Sequence, residues 1–103
     1  MLDPALDTLL LPFAMETLAW PAAGRILFLR ARMGPALVVA QGPKDRFICH
    51  QTFRPFAQDL SLAGFVLEPE QEETEHFPLV LVLPPRQRDE ARYLLAEAVT
   101  RAA

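Results

Sequence analysis

The stretch Phe77-Pro-Leu-Val-Leu-Val-Leu-Pro-Pro-Arg86 decides the fold. Leu79 to Leu83 is an unbroken run of Leu and Val. It is too short to span a membrane and is bounded by prolines, so it reads as a strand buried on both faces. Burial on both faces requires helices above and below the sheet, which makes this an α/β domain. Pro84 and Pro85 end the strand. Beyond them Ala91, Leu94, Leu95, Ala98 and Val99 recur at helical spacing, with Arg88, Arg92 and Glu97 among the intervening positions.

Upstream, Arg25-Ile-Leu-Phe-Leu-Arg30 is a strand whose apolar centre lies between two arginines. The turn Arg32-Met-Gly-Pro35 follows it. Ala36 to Ala40 is open between a short helix and an extra strand, because Val38-Val39 favours the strand on propensity alone. Gln41 to Asp45 is a polar turn, and Arg46 to Gln51 is the next strand. Thr52 is placed to cap a helix through Phe56, Ala57, Leu60 and Ala63, with Pro55 in its first turn and Gly64 as its stop. Phe65-Val-Leu67 is a short third strand, and Glu68 to His76 an acidic loop. At the other end, Asp3-Pro4 starts a helix with the stripe Leu6, Leu9, Leu10, Phe13. Pro12 ends or kinks that helix, Phe13 to Trp20 is expected to make a second short turn, and Trp20 to Gly24 is a turn. Strands alternate with helices, so the expected architecture is a Rossmann-like, mostly parallel sheet of four or five strands flanked by helices. Four or five strands also read as part of a larger doubly wound sheet.

The 103 residues fit one α/β domain spanning 1–103, and 51% hydrophobic residues is enough for a real core. The net charge of −3 selects no partner class, but its distribution is uneven. Residues 24–58 carry Arg25, Arg30, Arg32, Lys44, Arg46 and Arg54 against one acid, Asp45, whereas residues 59–75 carry only acids. The single cysteine, Cys49, excludes an internal disulfide and fits a reducing, cytoplasmic compartment. The N-terminus lacks the basic start of a signal peptide, and no apolar run approaches the ~20 residues of a membrane helix.

Five places could carry chemistry. A cofactor-binding doubly wound domain needs a glycine-rich turn after its first strand, so that amides at a helix start reach the ligand. Here the turn Leu29 to Pro35 has one glycine, and Pro35 removes an amide. Leu83-Pro-Pro-Arg86 keeps the Pro-Pro of amino-group methyltransferases, but Leu83 stands where a polar residue would hold the amine and Arg86 where an aromatic would stack on the base. Cys49 and His50 are adjacent on a strand and point to opposite faces, so they cannot pair as nucleophile and base. Glu72, Glu73, Glu75 and His76 are consecutive loop ligands and at most a weak metal site, and Asp89-Glu90 serve the dipole of the last helix. No catalytic, cofactor or metal residue emerges. What remains is a basic rim of Arg30, Arg32, Lys44, Arg46, Arg54, Arg86 and Arg88 at one end of the sheet, with Arg30, Arg32, Arg54, Arg86 and Arg88 as candidate RNA or anion contacts.

Several segments occur together in order: Ala5 to Phe13, Leu18-Ala-Trp-Pro21, Arg25 to Ala31, Gln51-Thr-Phe-Arg-Pro-Phe56, and Leu79 to Ala91. In this combination the chain resembles the N-terminal half of small-subunit ribosomal RNA guanine-N2 methyltransferases of the RsmC type, particularly their shorter bacterial relatives. The resemblance implies a degenerate methyltransferase-type fold. It implies a non-catalytic domain that supports folding or RNA engagement of a C-terminal catalytic domain. S-adenosylmethionine is then expected only in that catalytic domain and not on this chain. The implied partners are the catalytic domain and ribosomal RNA, with no membrane. The alternative is a stand-alone module that homodimerises with a second copy through an exposed apolar patch.

Overall fold

The computed structural model describes residues 3–40, 42–67, 76–85 and 87–102. Within them the elements run α1 (Pro4–Ala14), β1 (Ile26–Leu29), α2 (Pro35–Val39), a 3₁₀ turn (Lys44–Arg46), β2 (Phe47–His50), α3 (Arg54–Leu62), β3 (Val66–Leu67), β4 (Leu79–Val82) and α4 (Arg88–Arg101). The four strands form one sheet in the order β3-β2-β1-β4, and every pairing is parallel. The expected α/β, Rossmann-like class is therefore the observed one. The register sets Ile26 beside Phe47 and Leu79, and Leu29 beside His50 and Val82.

Strand alternation sorts the side chains onto two faces. Ile26, Phe28, Phe47, Cys49, Leu81 and Leu83 join Leu6, Leu10, Phe13, Leu37 and Leu60 from α1, α2 and α3. Leu27, Leu29 and Ile48 face the other way, onto Leu94 of α4 and Phe77, with Val80, Val82 and Ala98 partly buried against them. β1 is buried along its whole length and is the true central strand. Phe47 is an aromatic hub, with Trp20, Phe28 and Phe65 at ring centroid distances of 5.4, 6.4 and 5.7 Å.

Some local expectations are corrected. The short turn expected between Phe13 and Trp20 forms at residues 15–16 and does not become a helix: α1 ends at Ala14, and Glu16 takes a φ of 59°. Instead Trp20 folds back to stack on Phe13 at 4.0 Å and to donate its indole N–H to Ala40 O at 3.0 Å. The open stretch after Met33 resolves as the helix Pro35–Val39, with Ala40 as its C-cap, because Pro35 sits at its first position and Leu37 is drawn into the core. Thr52 does not cap α3. Phe53 takes that position without a side-chain cap, while its amide donates to Gln51 Oε1 at 2.9 Å. The run Leu79 to Leu83 is not uniformly buried: Leu81 and Leu83 are, but Leu79, Val80 and Val82 are half-buried, because β4 lies at the edge of the sheet. The acidic run Glu68 to Glu75 lies outside the described residues.

Candidate functional site

β1 and β4 are neighbours whose following helices lie on opposite faces of the sheet, α2 on one and α4 on the other. The chain therefore diverges at their carboxyl ends and leaves a crevice there, the place where open α/β sheets bind ligands. In this protein the crevice holds about 570 Å³, a size that suits a small ligand. Its walls are Asp3, Pro4 and Ala5 at the start of α1, Arg30 and Arg32 after β1, Pro84 and Pro85 after β4, and Gln87 and Glu90 at the start of α4.

The side chains of Arg30, Arg32 and Asp3 already have partners, although Arg32 Nε is buried without one. Arg30, in the left-handed region at φ 56°, turns its guanidinium across the gap and donates to Leu83 O at 3.1 Å. Its Nε lies 4.0 Å from Glu90 Oε1. Arg32 donates to Asp3 Oδ1 at 3.0 Å, and the same carboxylate oxygen accepts the Leu6 amide at 3.2 Å as the cap of α1. Arg32 also lies over the Phe56 ring, 5.8 Å from its centroid. The loop between them is tied down, with Ala31 donating its amide to His50 O and accepting from Gln51 Nε2 at 2.8 Å.

The lone glycine of this turn serves packing. Gly34 is extended, with φ −173°, and a Cβ there would come within 2.7 Å of Leu6 Cδ2. It lets Leu6 of α1 close over the turn. Leu83 is buried and apolar at the Pro-Pro turn, and its polar contribution to the crevice is its main-chain oxygen.

Of the candidate RNA or anion contacts, the structure brings Arg30 and Arg32 together in the crevice. Arg54 and Arg88 open α3 and α4 at the same carboxyl edge and are exposed. Arg86 lies outside the described residues. The wider rim is corrected: Lys44 and Arg46 precede β2 and so lie at the opposite, amino end. They brace turns there, with Lys44 Nζ donating to Ala63 O at 2.6 Å and Arg46 donating to Gly24 O at 2.7 Å and to Pro21 O. Asp3, Gln87 and Glu90 belong to the crevice, yet sequence reading placed Asp3 and Glu90 only as helix-start residues and gave Gln87 no role. Capping is indeed what Asp3 and Gln87 do, but pairing across 29 residues, as between Asp3 and Arg32, leaves no local signal.

Cys49 is fully buried, and burial pushes its thiol up to about 12. It stays protonated and is no nucleophile. Among the described residues no group of three or more His, Cys, Asp or Glu is arranged to hold a metal, and no helix is long and apolar enough to cross a membrane. The arrangement can therefore attract an anion to Arg30, which the exposed Glu90 holds only at 4.0 Å, whereas Arg32 is bonded at 3.0 Å to a partly buried Asp3. Among the described residues it offers no nucleophile–base pair. Comparison with known proteins returns no match to a family model, a curated protein or a solved structure.

Proposed function

We propose that this chain is a non-catalytic accessory domain of the methyltransferase type, acting with a separate catalytic domain on RNA, ribosomal RNA being the substrate class the sequence resemblance implies. The observation that carries this reading is the self-occupied crevice. Where a cofactor-binding sheet presents free amides and a glycine-rich turn, this one presents Arg30 bonded to Leu83 O and Arg32 bonded to Asp3. S-adenosylmethionine would have to displace both and still find a turn covered by α1. The arginines remain useful toward a polyanion. The Arg30–Glu90 pair is long and Glu90 is 56% exposed, so a phosphate competes for Arg30 at little cost. Isothermal titration of this chain with S-adenosylmethionine is expected to give no heat up to millimolar cofactor, and a micromolar Kd overturns the reading. Binding to an RNA hairpin is expected to weaken steeply with salt and to fall in Arg30→Ala/Arg32→Ala.

One observation favours a second reading, self-association. The outer surfaces of α1 and α2 and the turn after α1 leave Leu11, Met15, Leu18, Val38 and Val39 all more than half exposed. Leu11 and Val39 line a groove of about 250 Å³ between α1 and α2 whose surface is almost wholly apolar. A patch of that kind is a common homodimer seam. A monomer mass independent of concentration in light scattering removes this reading.

A further inference from the structure

We propose that Phe53 is a stacking platform for an unpaired nucleobase, with the phosphates beside that base held by Arg32 and Arg54. The proposal rests on the RNA reading above and narrows it: the chain takes RNA as a single strand, by base faces and phosphates rather than by base sequence.

Phe53 occupies the N-cap position of α3, where a small polar residue is preferred, and makes no side-chain cap. Its ring is 55% exposed, so it serves the core little. A single exposed ring means nothing by itself. Three features of its setting give this one a role.

First, it stands at the carboxyl edge with the crevice arginines. Leu29 is paired with His50, so the segments leaving β1 and β2 start side by side. One carries Arg30 and Arg32; the other carries Phe53, Arg54 and Phe56. Arg32 lies over the Phe56 ring at 5.8 Å, and Phe56 meets Phe53 at a centroid distance of 4.8 Å. Guanidinium, ring and ring form one row, and Arg54, the residue after Phe53, is exposed. Second, a face of Phe53 is open to a planar ligand. The two rings meet edge to face at 71°, so Phe56 covers at most one face of Phe53. Third, the ring is held in place. Gln51 donates from Nε2 to Ala31 O at 2.8 Å and accepts the Phe53 amide on Oε1 at 2.9 Å. One side chain thus ties the start of α3 to the turn that carries the arginines, which leaves little to be ordered on binding.

Aromatic faces set among cations match the alternating bases and phosphates of a single strand. A duplex keeps its base faces inside the stack and would engage the arginines alone.

The test is fluorescence anisotropy of the full chain with two labelled single strands of about eight nucleotides: oligoadenylate, and an abasic ribose-phosphate strand of the same length and charge. The parent is expected to bind oligoadenylate about tenfold more tightly than the abasic strand. Phe53→Ala and Phe53→Leu should each weaken oligoadenylate about five- to a hundredfold, Phe53→Trp should retain it, and none of the three should alter binding of the abasic strand. Because Phe53 is exposed, these variants keep the fold, which their urea midpoints check. Equal affinity of the parent for the two strands overturns the proposal and leaves the polyanion reading standing. Parent-like binding of oligoadenylate by Phe53→Ala or by Phe53→Leu does the same, the latter because an apolar contact then suffices without a ring. Failure of the parent to bind either strand or an RNA hairpin removes the RNA reading, and this proposal with it.

Discussion

Arg30 joins the fold to the crevice, and two substitutions there separate what its side chain gives from what its backbone costs. A left-handed residue other than glycine carries about 1–2 kcal/mol of steric strain. Against this, the guanidinium donates to Leu83 O, and its side chain is 32% exposed. A charged donor on a main-chain oxygen contributes about 1.5 kcal/mol when well buried, so about 1 kcal/mol is reasonable here. The 4.0 Å contact with exposed Glu90 adds at most a few tenths of a kcal/mol. Arg30→Ala removes the bond and keeps the strain, and should destabilise by about 1 kcal/mol. Arg30→Gly loses the same bond but relieves the strain, while returning about 0.4–1 kcal/mol of unfolded-state entropy. The net expectation is that Arg30→Gly is more stable than Arg30→Ala by about 0.5–1 kcal/mol. Urea titration followed by the fluorescence of Trp20, the single tryptophan, resolves a difference of that size. Equal midpoints for the two variants would refute the strain at Arg30. Midpoints equal to the parent for both would refute any contribution from the guanidinium, and with it the account of a crevice closed by its own arginine.

Three further outcomes are expected. Burial raises the Cys49 thiol from 9.0 to about 12, so the unfolded chain releases its proton first. This contribution to stability is complete below pH 9 and is lost as pH rises from 9 toward 12, at up to about 1.4 kcal/mol per pH unit, and Cys49→Ala should flatten that slope in urea midpoints. Gly24 and Gly64 both have positive φ, but a Cβ at Gly24 meets Pro78 Cγ at 2.9 Å while Gly64 has nothing nearer than Lys44 Cδ at 3.6 Å. Calorimetry should therefore show Gly64→Ala costing about 1 kcal/mol and Gly24→Ala clearly more. Phe47→Ala should cost about 3–5 kcal/mol and Phe53→Ala, at an exposed site, below about 1 kcal/mol by the same measurement.

The parts of the fold that were legible in the sequence are those fixed by short-range chemistry. Ile26 to Leu29 between arginines, Asp3-Pro4 before an apolar stripe, Pro55 in a first turn and Gly64 at a helix end each act within a turn or two, and each is where it was expected. The misreadings involve choices made at long range. Trp20 leaves the helical path because Phe13 and Ala40 O together offer more than a further turn of helix would. Thr52 is a better cap than Phe53 by propensity, but the Gln51 side chain reaches the Phe53 amide first. The crevice was half legible for the same reason. Arg30 follows β1 and so had to lie at the carboxyl edge once the sheet was parallel. By the same rule Lys44 and Arg46, which precede β2, had to lie at the amino edge, so polarity alone would have divided the rim. The partners that neutralise the two crevice arginines could not be read, since Arg30 bonds across 53 residues and Arg32 across 29.

β4 is the instructive case, because there the sequence and the position disagree. Composition puts Leu79 to Leu83 at the centre of a sheet, yet the strand that is buried throughout is β1. Local propensity does not explain the disagreement: β4 is paired along its length with β1 and, among the described strands, has no second neighbour. The crevice shows the same long-range choice: Arg30 reaches Leu83 O at the end of β4, and Arg32 reaches Asp3.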